Sequence, residues 1–361
     1  MYMKTVVQIV QHLCPGGIEV MALELKKTLP KDTQVILVSL EGQFEDTVSA
    51  WPRLKSISSD IICMGKKPGL DFNLITRLAN LLREVGATSI HTHHIGPLIY
   101  GGLAARLAGI KSHVHTEHDA WHLDKTKRRW QQRLLLALTK PTLIADSEQV
   151  AQGIKKYLSQ KNVEVIRNGV DLERFIPANQ QRARKVMKMR SDVFWIGSRG
   201  RLETVKGHRT LIDAMKYLPE STHLALAGSG SQFKALRKQV ADLGIQNRVH
   251  FMGHLDNMPL FYQALDLFCL PSFREGMPLA PLEAQACGVP VVVSDTGGTR
   301  ETLCKESGRL VRPGDSKQLA EAITKAQHQK IAVSPRVFVE QTANLLHMAQ
   351  AYEKHYQLSS Q

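Results

Sequence analysis

What this chain lacks narrows its function before any motif is read. No apolar run in its 361 residues approaches the roughly 20 needed to cross a bilayer. The interrupted segment Thr5–Val10 is too short for a signal-peptide core and reads as a first strand. The five cysteines, Cys14, Cys63, Cys269, Cys287 and Cys304, are scattered and odd in number. They suit free thiols in a reducing compartment and offer no paired metal spacing. The expected location is the cytoplasm, including the cytoplasmic face of the inner membrane. Aromatic residues make up only 6%, too few for base-stacking platforms, and no recognition-helix, zinc-finger or RNA-binding signature accompanies the basic clusters, so no nucleic-acid partner is expected. No Gly-x-Gly-x-x-Gly opens the first helix, which argues against a nicotinamide-dependent oxidoreductase.

Acidic residues are also in deficit. Asp and Glu total 33 against 47 Lys and Arg, a formal net charge of +14, and such an excess asks for an anionic partner. Phosphate-bearing substrates and anionic membranes both qualify. Basic clusters stand at Lys125, Lys127, Arg128 and Arg129 with Arg133, and at Arg182, Arg184, Lys185, Lys188 and Arg190. For these, peripheral contact with acidic lipid headgroups, worth roughly 1 kcal/mol per basic residue near the surface, is the better functional reading. A chain of this length, 43% hydrophobic, suits two domains of similar size.

The richest stretch is residues 271–301, Pro-Ser-Phe-Arg-Glu-Gly-Met-Pro-Leu-Ala-Pro-Leu-Glu-Ala-Gln-Ala-Cys-Gly-Val-Pro-Val-Val-Val-Ser-Asp-Thr-Gly-Gly-Thr-Arg-Glu. The apolar run Leu267–Leu270 reads as a buried strand feeding a loop that carries Glu275. Glu283 follows after seven intervening residues on a segment that Pro281 can open as a helix. Val289–Val293 reads as the next strand and ends at Gly297-Gly298. Two consecutive units of a parallel sheet place both loops at one edge, where ligands of such sheets collect. Two carboxylates can there accept from hydroxyls, and the glycine pair lets backbone amides approach an oxyanion. A ligand with a sugar at one end, a ribose at the other and phosphates between them fits the set, which describes a nucleotide sugar.

This stretch closely resembles the retaining glycosyltransferases of family four. The fold implied is GT-B, α/β with two Rossmann-like, doubly wound domains facing across a cleft. The resemblance implies that Glu275, with Gly276 and Met277 of its loop, contacts the donor sugar, Glu283 the ribose hydroxyls, and Gly297-Gly298 the phosphates or sugar. A second motif, Gly200-Arg-Leu-Glu-Thr-Val-Lys-Gly207 after the strand Val193–Ile196, sets Arg201 and Lys206 where two cations and helix amides meet a diphosphate. They would neutralise a leaving nucleoside diphosphate, a task that needs no metal, so no metal or other cofactor is expected.

Other candidates follow in order. Gly16-Gly17, between the first strand and first helix, can face an anion; the family uses this loop for donor phosphate or acceptor. Fifteen histidines invite a metal, but those alternating on the neighbouring strands Ser89–His94 and His113–His118 lack helical metal spacing and are read as lining the cleft and hydrogen-bonding sugar hydroxyls. Among them His118, after the strand His113–Glu117, matches the family's donor-sugar histidine; His93, His94 and Glu117 are weaker candidates. Gly228, after His223–Ala227, is another close-approach glycine. Leu70–Val85 reads as an amphipathic helix and Ile57–Met64 as a third strand. The expected domains are 1–170 on the acceptor side, a linker at 171–192 and a donor domain at 193–334, with a terminal helix from about 335 to 361 packing back on the first. The reading is transfer of a sugar from a nucleotide diphosphate sugar to a saccharide or lipid-linked hydroxyl acceptor, in bacterial polysaccharide or lipopolysaccharide synthesis. Its alternative is a non-catalytic nucleotide-sugar-binding protein of the same fold.

Overall fold

The computed structural model describes residues 4–160, 162–330 and 332–357. The chain divides into two compact units, Met1–Gly169 with Leu345–Gln361, and Val170–Asn344. Both are α/β, each built on one sheet whose strand pairs are all parallel.

In the first unit the strands are β1 (Lys4–Val10), β2 (Thr33–Ser39), β3 (Ile61–Cys63), β4 (Ser89–His93), β5 (Ser112–Glu117), β6 (Thr142–Ala145) and β7 (Glu164–Val165), in the order β3-β2-β1-β4-β5-β6-β7. β1 is almost wholly apolar because helices cover both of its faces: Val6 and Val10 enter one core and Val7 and Ile9 the other. The chain leaves β1 in one direction and returns on its other side at β4, so the strand order reverses between them.

β4 and β5 break the apolar rule. His91, His93, His113 and His115 are buried, and each finds a partner. His91 bonds the Tyr356 hydroxyl at 2.8 Å and the Thr116 hydroxyl at 2.8 Å, and Thr116 meets the Tyr352 hydroxyl at 3.0 Å. Thr92 on the other face meets His113 and His115, both at 2.9 Å. Buried polar groups persist only when paired in this way. These histidines are therefore interior fastenings, a correction to the expectation that they meet sugar hydroxyls; alternation on a buried strand looks the same in either role.

Other expectations shift. The third strand is only Ile61–Cys63, because Pro52 opens a 3-10 stretch, Pro52–Asp60, that includes Ile57 and buries Leu54. The helix expected from Leu70 begins at Asn73; Asp71 Oδ1 accepts from the Leu74 amide at 3.2 Å, and Leu70 and Phe72 stay exposed. The terminal helix is two helices. Pro335–Thr342 belongs to the second unit, where the Arg336 guanidinium donates to the carbonyls of Leu172, Phe175 and Ala286. After a break at Ala343-Asn344, Leu345–Gln357 carries Tyr352 and Tyr356 into the first unit; residues 358–361 lie outside the described residues. The segment 171–192 also belongs to the second unit: within its helix Gln180–Met187, Arg184 is buried and pairs with Asp266 Oδ2 at 2.5 Å. Its basic composition resembles a linker because composition does not show which guanidinium is paired.

The second unit contains β8 (Phe194–Arg199), β9 (Thr222–Ala227), β10 (Val249–Gly253), β11 (Leu267–Leu270), β12 (Val291–Ser294) and β13 (Arg309–Val311), ordered β10-β9-β8-β11-β12-β13. The order reverses between β8 and β11, and ligands of such sheets bind outside the carboxyl ends of the strands at that point.

The histidine fastenings carry a pH signature. Burial, ahead of repulsion between neighbouring imidazoles, lowers His91 and His93 well below the ordinary range, His94 to about 4 and His113 to about 3. The unfolded chain binds these protons near pH 6.5 and the folded chain does not, so acid favours unfolding. His122 runs the other way: burial opposes its charge, but Asp119, Glu117 and Gln132 carry it up to about 9, so its contribution is constant below pH 6.5. Scanning calorimetry should show the first unit losing on the order of 1 kcal/mol per pH unit for each lowered histidine between pH 6.5 and 5. A flat profile there would remove the histidines from the fold's support.

Candidate active site

The loops after β8, β11 and β12 leave adjacent strands at one edge of the second sheet, and they are packed together backbone to backbone. Gly207, in the left-handed region at φ +66°, lies so close to Pro271 that an added Cβ would stand 2.0 Å from its carbonyl oxygen. Gly297, at φ +53°, approaches Glu275 until a Cβ would fall 1.7 Å from that carbonyl. The Gly298 amide donates to the Gly276 carbonyl at 2.8 Å, and the Phe273 amide to that of Val205 at 2.8 Å. Thr296 Oγ1 donates to the Phe273 carbonyl at 2.9 Å.

On this frame stands a charge pair that bridges the strand-order reversal. Lys206 Nζ, from the loop after β8, donates to Glu275 Oε1 at 2.6 Å. Ser272 Oγ donates to the same oxygen at 2.6 Å. One ammonium thus keeps two further N–H groups for a ligand, and one carboxylate keeps its second oxygen. Arg201 is exposed on the β8 loop, where its carbonyl accepts from the Glu203 amide at 2.8 Å. Gly228, at φ +139°, lets the β9 loop approach the Gly200 carbonyl, 2.1 Å from an added Cβ. Met277 is buried beneath the loop.

Glu283 belongs to a second, deeper pair. It lies on the helix Leu279–Ala286, which begins two residues before Pro281 and so contains that proline in its first turn rather than opening on it. Its Oε2 accepts from Arg199, at the end of β8, at 2.7 Å and from the Tyr262 hydroxyl at 2.7 Å. Burial works against the Arg199 charge, yet Glu283 and Tyr262 raise its pKa above the ordinary value; burial and Glu283 push Tyr262 far up. Burial, then the Lys206 charge, lowers His208 to about 4, so it is neutral beneath the loop. Sequence reasoning missed Arg199 and Tyr262. Arg199 stands two residues before Arg201 and could have been weighed; nothing marks Tyr262, which comes from a separate helix, Met258–Gln263.

The remaining candidates sit in the first unit. His118 follows β5, nearly buried, with Nε2 3.1 Å from His93 Nδ1 and Nδ1 3.4 Å from Asp146 Oδ2. Glu117 is wholly buried, holding His115 at 2.8 Å and Gln132. His94 occupies a left-handed conformation at φ +68°, uncommon for a residue with a side chain. Gly16 precedes the helix Gly17–Thr28, and the Glu19 carboxylate lies against it, 2.3 Å from an added Cβ. Among the described residues, no group of three or more His, Cys, Asp or Glu is arranged to hold a metal ion.

Comparison with known proteins agrees with the sequence and the fold. The family model described as glycosyl transferases group 1 matches residues 179–344, and that of glycosyltransferase family 4 matches residues 15–174. The UDP-Gal:alpha-D-GlcNAc-diphosphoundecaprenol alpha-1,3-galactosyltransferase of Escherichia coli is 30% identical over 278 residues, 72% of this chain and 72% of its own. The lipopolysaccharide core biosynthesis mannosyltransferase LpsB of Rhizobium meliloti (strain 1021) is 33% identical over 184 residues, 46% of this chain and 50% of its own. Among solved structures, Anabaena HepE in complex with UDP-glucose superposes with a TM-score of 0.85 at 24% identity, covering 99% of this chain and 100% of that one.

The backbone frame can be tested by stability. Gly297→Ala should cost roughly 1–3 kcal/mol from its backbone conformation alone, with the clash on Glu275 in addition. Gly244→Ala, at φ +68° with open space around it, meets only the first penalty. Denaturant unfolding should show Gly297→Ala the more destabilised of the two; equal losses would mean that the loops are not packed as described.

Proposed function

The chain belongs to the glycosyl transferases of group 1 and glycosyltransferase family 4, and on that premise we propose that its second unit binds a nucleoside diphosphate sugar and moves the sugar, with retention at the anomeric carbon, to a hydroxyl acceptor. The observation that carries this reading is the Lys206–Glu275 pair, which bridges the strand-order reversal between β8 and β11. A donor of this class carries sugar hydroxyls, two phosphates and ribose hydroxyls. Glu275 accepts from the sugar, in the loop of Gly276 and Met277. Lys206 and Arg201 hold the diphosphate, with backbone of Gly228, Gly297 and Gly298 free of side chains beside it. Glu283, braced by Arg199 and Tyr262, takes the ribose.

In the transfer step the bond between the anomeric carbon and the phosphate oxygen breaks, and charge builds on the leaving diphosphate. In this proposal the two cations stabilise that charge, and a resident metal is unnecessary. The acceptor hydroxyl attacks on the face the diphosphate leaves, and a phosphate oxygen takes its proton. His118, its ring held by His93 and Asp146, is the first unit's proposed contribution to turnover, and the Gly16-Gly17 turn its proposed contribution to donor or acceptor binding. The acceptor is a saccharide or a lipid-linked saccharide of bacterial surface-polysaccharide or lipopolysaccharide synthesis; the relative from Escherichia coli acts, by its name, on a diphosphoundecaprenol-linked sugar. No described helix is long and apolar enough to cross a membrane, and we place the protein in the cytoplasm, meeting the membrane face peripherally.

With a nucleotide-sugar donor chosen by thermal shift across UDP, GDP and ADP sugars, Lys206→Ala and Glu275→Gln should each slow turnover by about 10²–10³-fold. Turnover unaffected by either substitution would sink the assignment. Chelation of divalent ions should leave the wild-type rate unchanged, and a rate abolished by chelation would transfer the charge-stabilising role from Arg201 and Lys206 to a metal.

A further inference from the structure

The helix Thr126–Thr139 buries a largely polar side and leaves an apolar one exposed. Gln132, Leu136 and Thr139 turn inward. Trp130, Leu134 and Leu138, spaced i, i+4 and i+8, are 67%, 61% and 51% exposed, in one stripe about 12 Å long. Trp121, on the 3-10 turn Trp121–Asp124 that leads into the helix, is 46% exposed. Isolated exposed apolar residues are ordinary, but a contiguous set on one short segment marks an interaction surface.

Charge identifies the partner. Residues 121–140 hold six basic side chains, Lys125, Lys127, Arg128, Arg129, Arg133 and Lys140, against the single acid Asp124. Arg129 is folded onto the Tyr157 ring, 4.5 Å from its centroid, and Arg133 lies 5.8 Å from that of Trp130. Lys125, Lys127, Arg128 and Lys140 remain exposed around the stripe.

We propose that this surface docks on an anionic lipid bilayer, with the helix lying in the interfacial plane, Trp130, Leu134 and Leu138 entering the acyl boundary, and the exposed lysines and Arg128 meeting headgroup phosphates. Indoles and leucines on one side of a helix rich in basic residues suit that depth. A nucleic acid has no use for the two leucines, and a second copy of the same patch brings like charges together. The proposal deepens the membrane-face reading given above and rests on it for its setting.

Flotation of the full chain with vesicles, without sugar donor or acceptor, tests the surface separately from the chemistry. Wild type should bind vesicles of phosphatidylcholine mixed with phosphatidylglycerol and not vesicles of phosphatidylcholine alone. The triple variant Trp130→Ser, Leu134→Ser, Leu138→Ser should lose partitioning by roughly tenfold or more, and Lys127→Glu with Arg128→Glu by on the order of fivefold per charge removed. All these side chains are exposed, so circular dichroism should be unchanged, as should transfer to a water-soluble acceptor. Wild-type binding that ignores headgroup charge, or survives the triple variant, overturns the proposal. So does loss of a concentration-dependent dimer in the triple variant, which assigns the stripe to a second copy, or salt-sensitive DNA binding in place of vesicle binding. If vesicle binding fails while Lys206→Ala still abolishes transfer, the docking surface is wrong and the enzymatic reading stands.

Discussion

Between the carbonyl oxygen of Glu275 and the Cα of Gly297 there is no room for a methyl group, and the same holds between Pro271 and Gly207. The rest of the second unit's edge depends on these two contacts. They bring the loops after β8, β11 and β12 to within hydrogen-bonding distance of one another. The short side chain of Thr296 and the longer ones of Lys206 and Glu275 then reach across without spanning solvent, and Ser272 braces Glu275 from within its own loop. A carboxylate that carries any side chain's bulk opposite its own backbone would stand farther from the ammonium. Because both glycines also hold positive φ, the sequence can keep the packing only by keeping glycine at both places.

The two carboxylates of the site are held in different ways. The Lys206 side chain is 23% exposed and that of Glu275 9%, and their pairing holds each group at a fixed place before a ligand arrives. Glu283 is nearly buried, and Arg199 and Tyr262 converge on a single one of its oxygens. Removing either partner leaves a carboxylate in a poorly solvated place, a far larger penalty than the pair's net contribution. Such a buried pair fixes direction rather than adding stability: Oε1 of Glu283 is the oxygen left over, and its orientation is set by the occupied one.

The legible parts of this protein were those written contiguously. Residues 267–301 contain strand, loop, helix, strand and glycine turn in a row, so Glu275, Glu283 and Gly297 could be placed on one edge from spacing alone. Lys206 was legible because its loop also follows a strand directly. Arg199 and Tyr262 were not, since their connection to Glu283 crosses 84 and 21 residues of chain and is made by tertiary packing. The histidines of β4 and β5 misled for another reason: a period-two pattern reports that a side chain shares a face, and a core face and a ligand-facing one have the same period. What marks one such face as core is the pair of tyrosines 236 and 265 residues later, Tyr352 and Tyr356, which bond the Thr116 hydroxyl and a His91 ring nitrogen. The break at Ala343-Asn344 was hidden because neither residue forbids a helix; it is imposed by the bridge between Val170 and Asn344.

The first unit places its polar and apolar groups contrary to what stability alone would select. Its interior strands spend buried positions on histidine and threonine, and its helix Thr126–Thr139 turns Gln132 inward while Trp130, Leu134 and Leu138 face out. Gln132 is acceptable there only because Glu117 and His122 occupy its amide, and replacing such a network by apolar side chains of the same shape would leave the core at least as stable. The exposed stripe has no matching internal compensation, because water pays nothing for contact with leucine. A helix with an inward glutamine and outward leucines is thus not explained by packing within its own unit. The lipid surface proposed above would account for it, because it offers hydrocarbon to the leucines and phosphate to the flanking lysines at the same time.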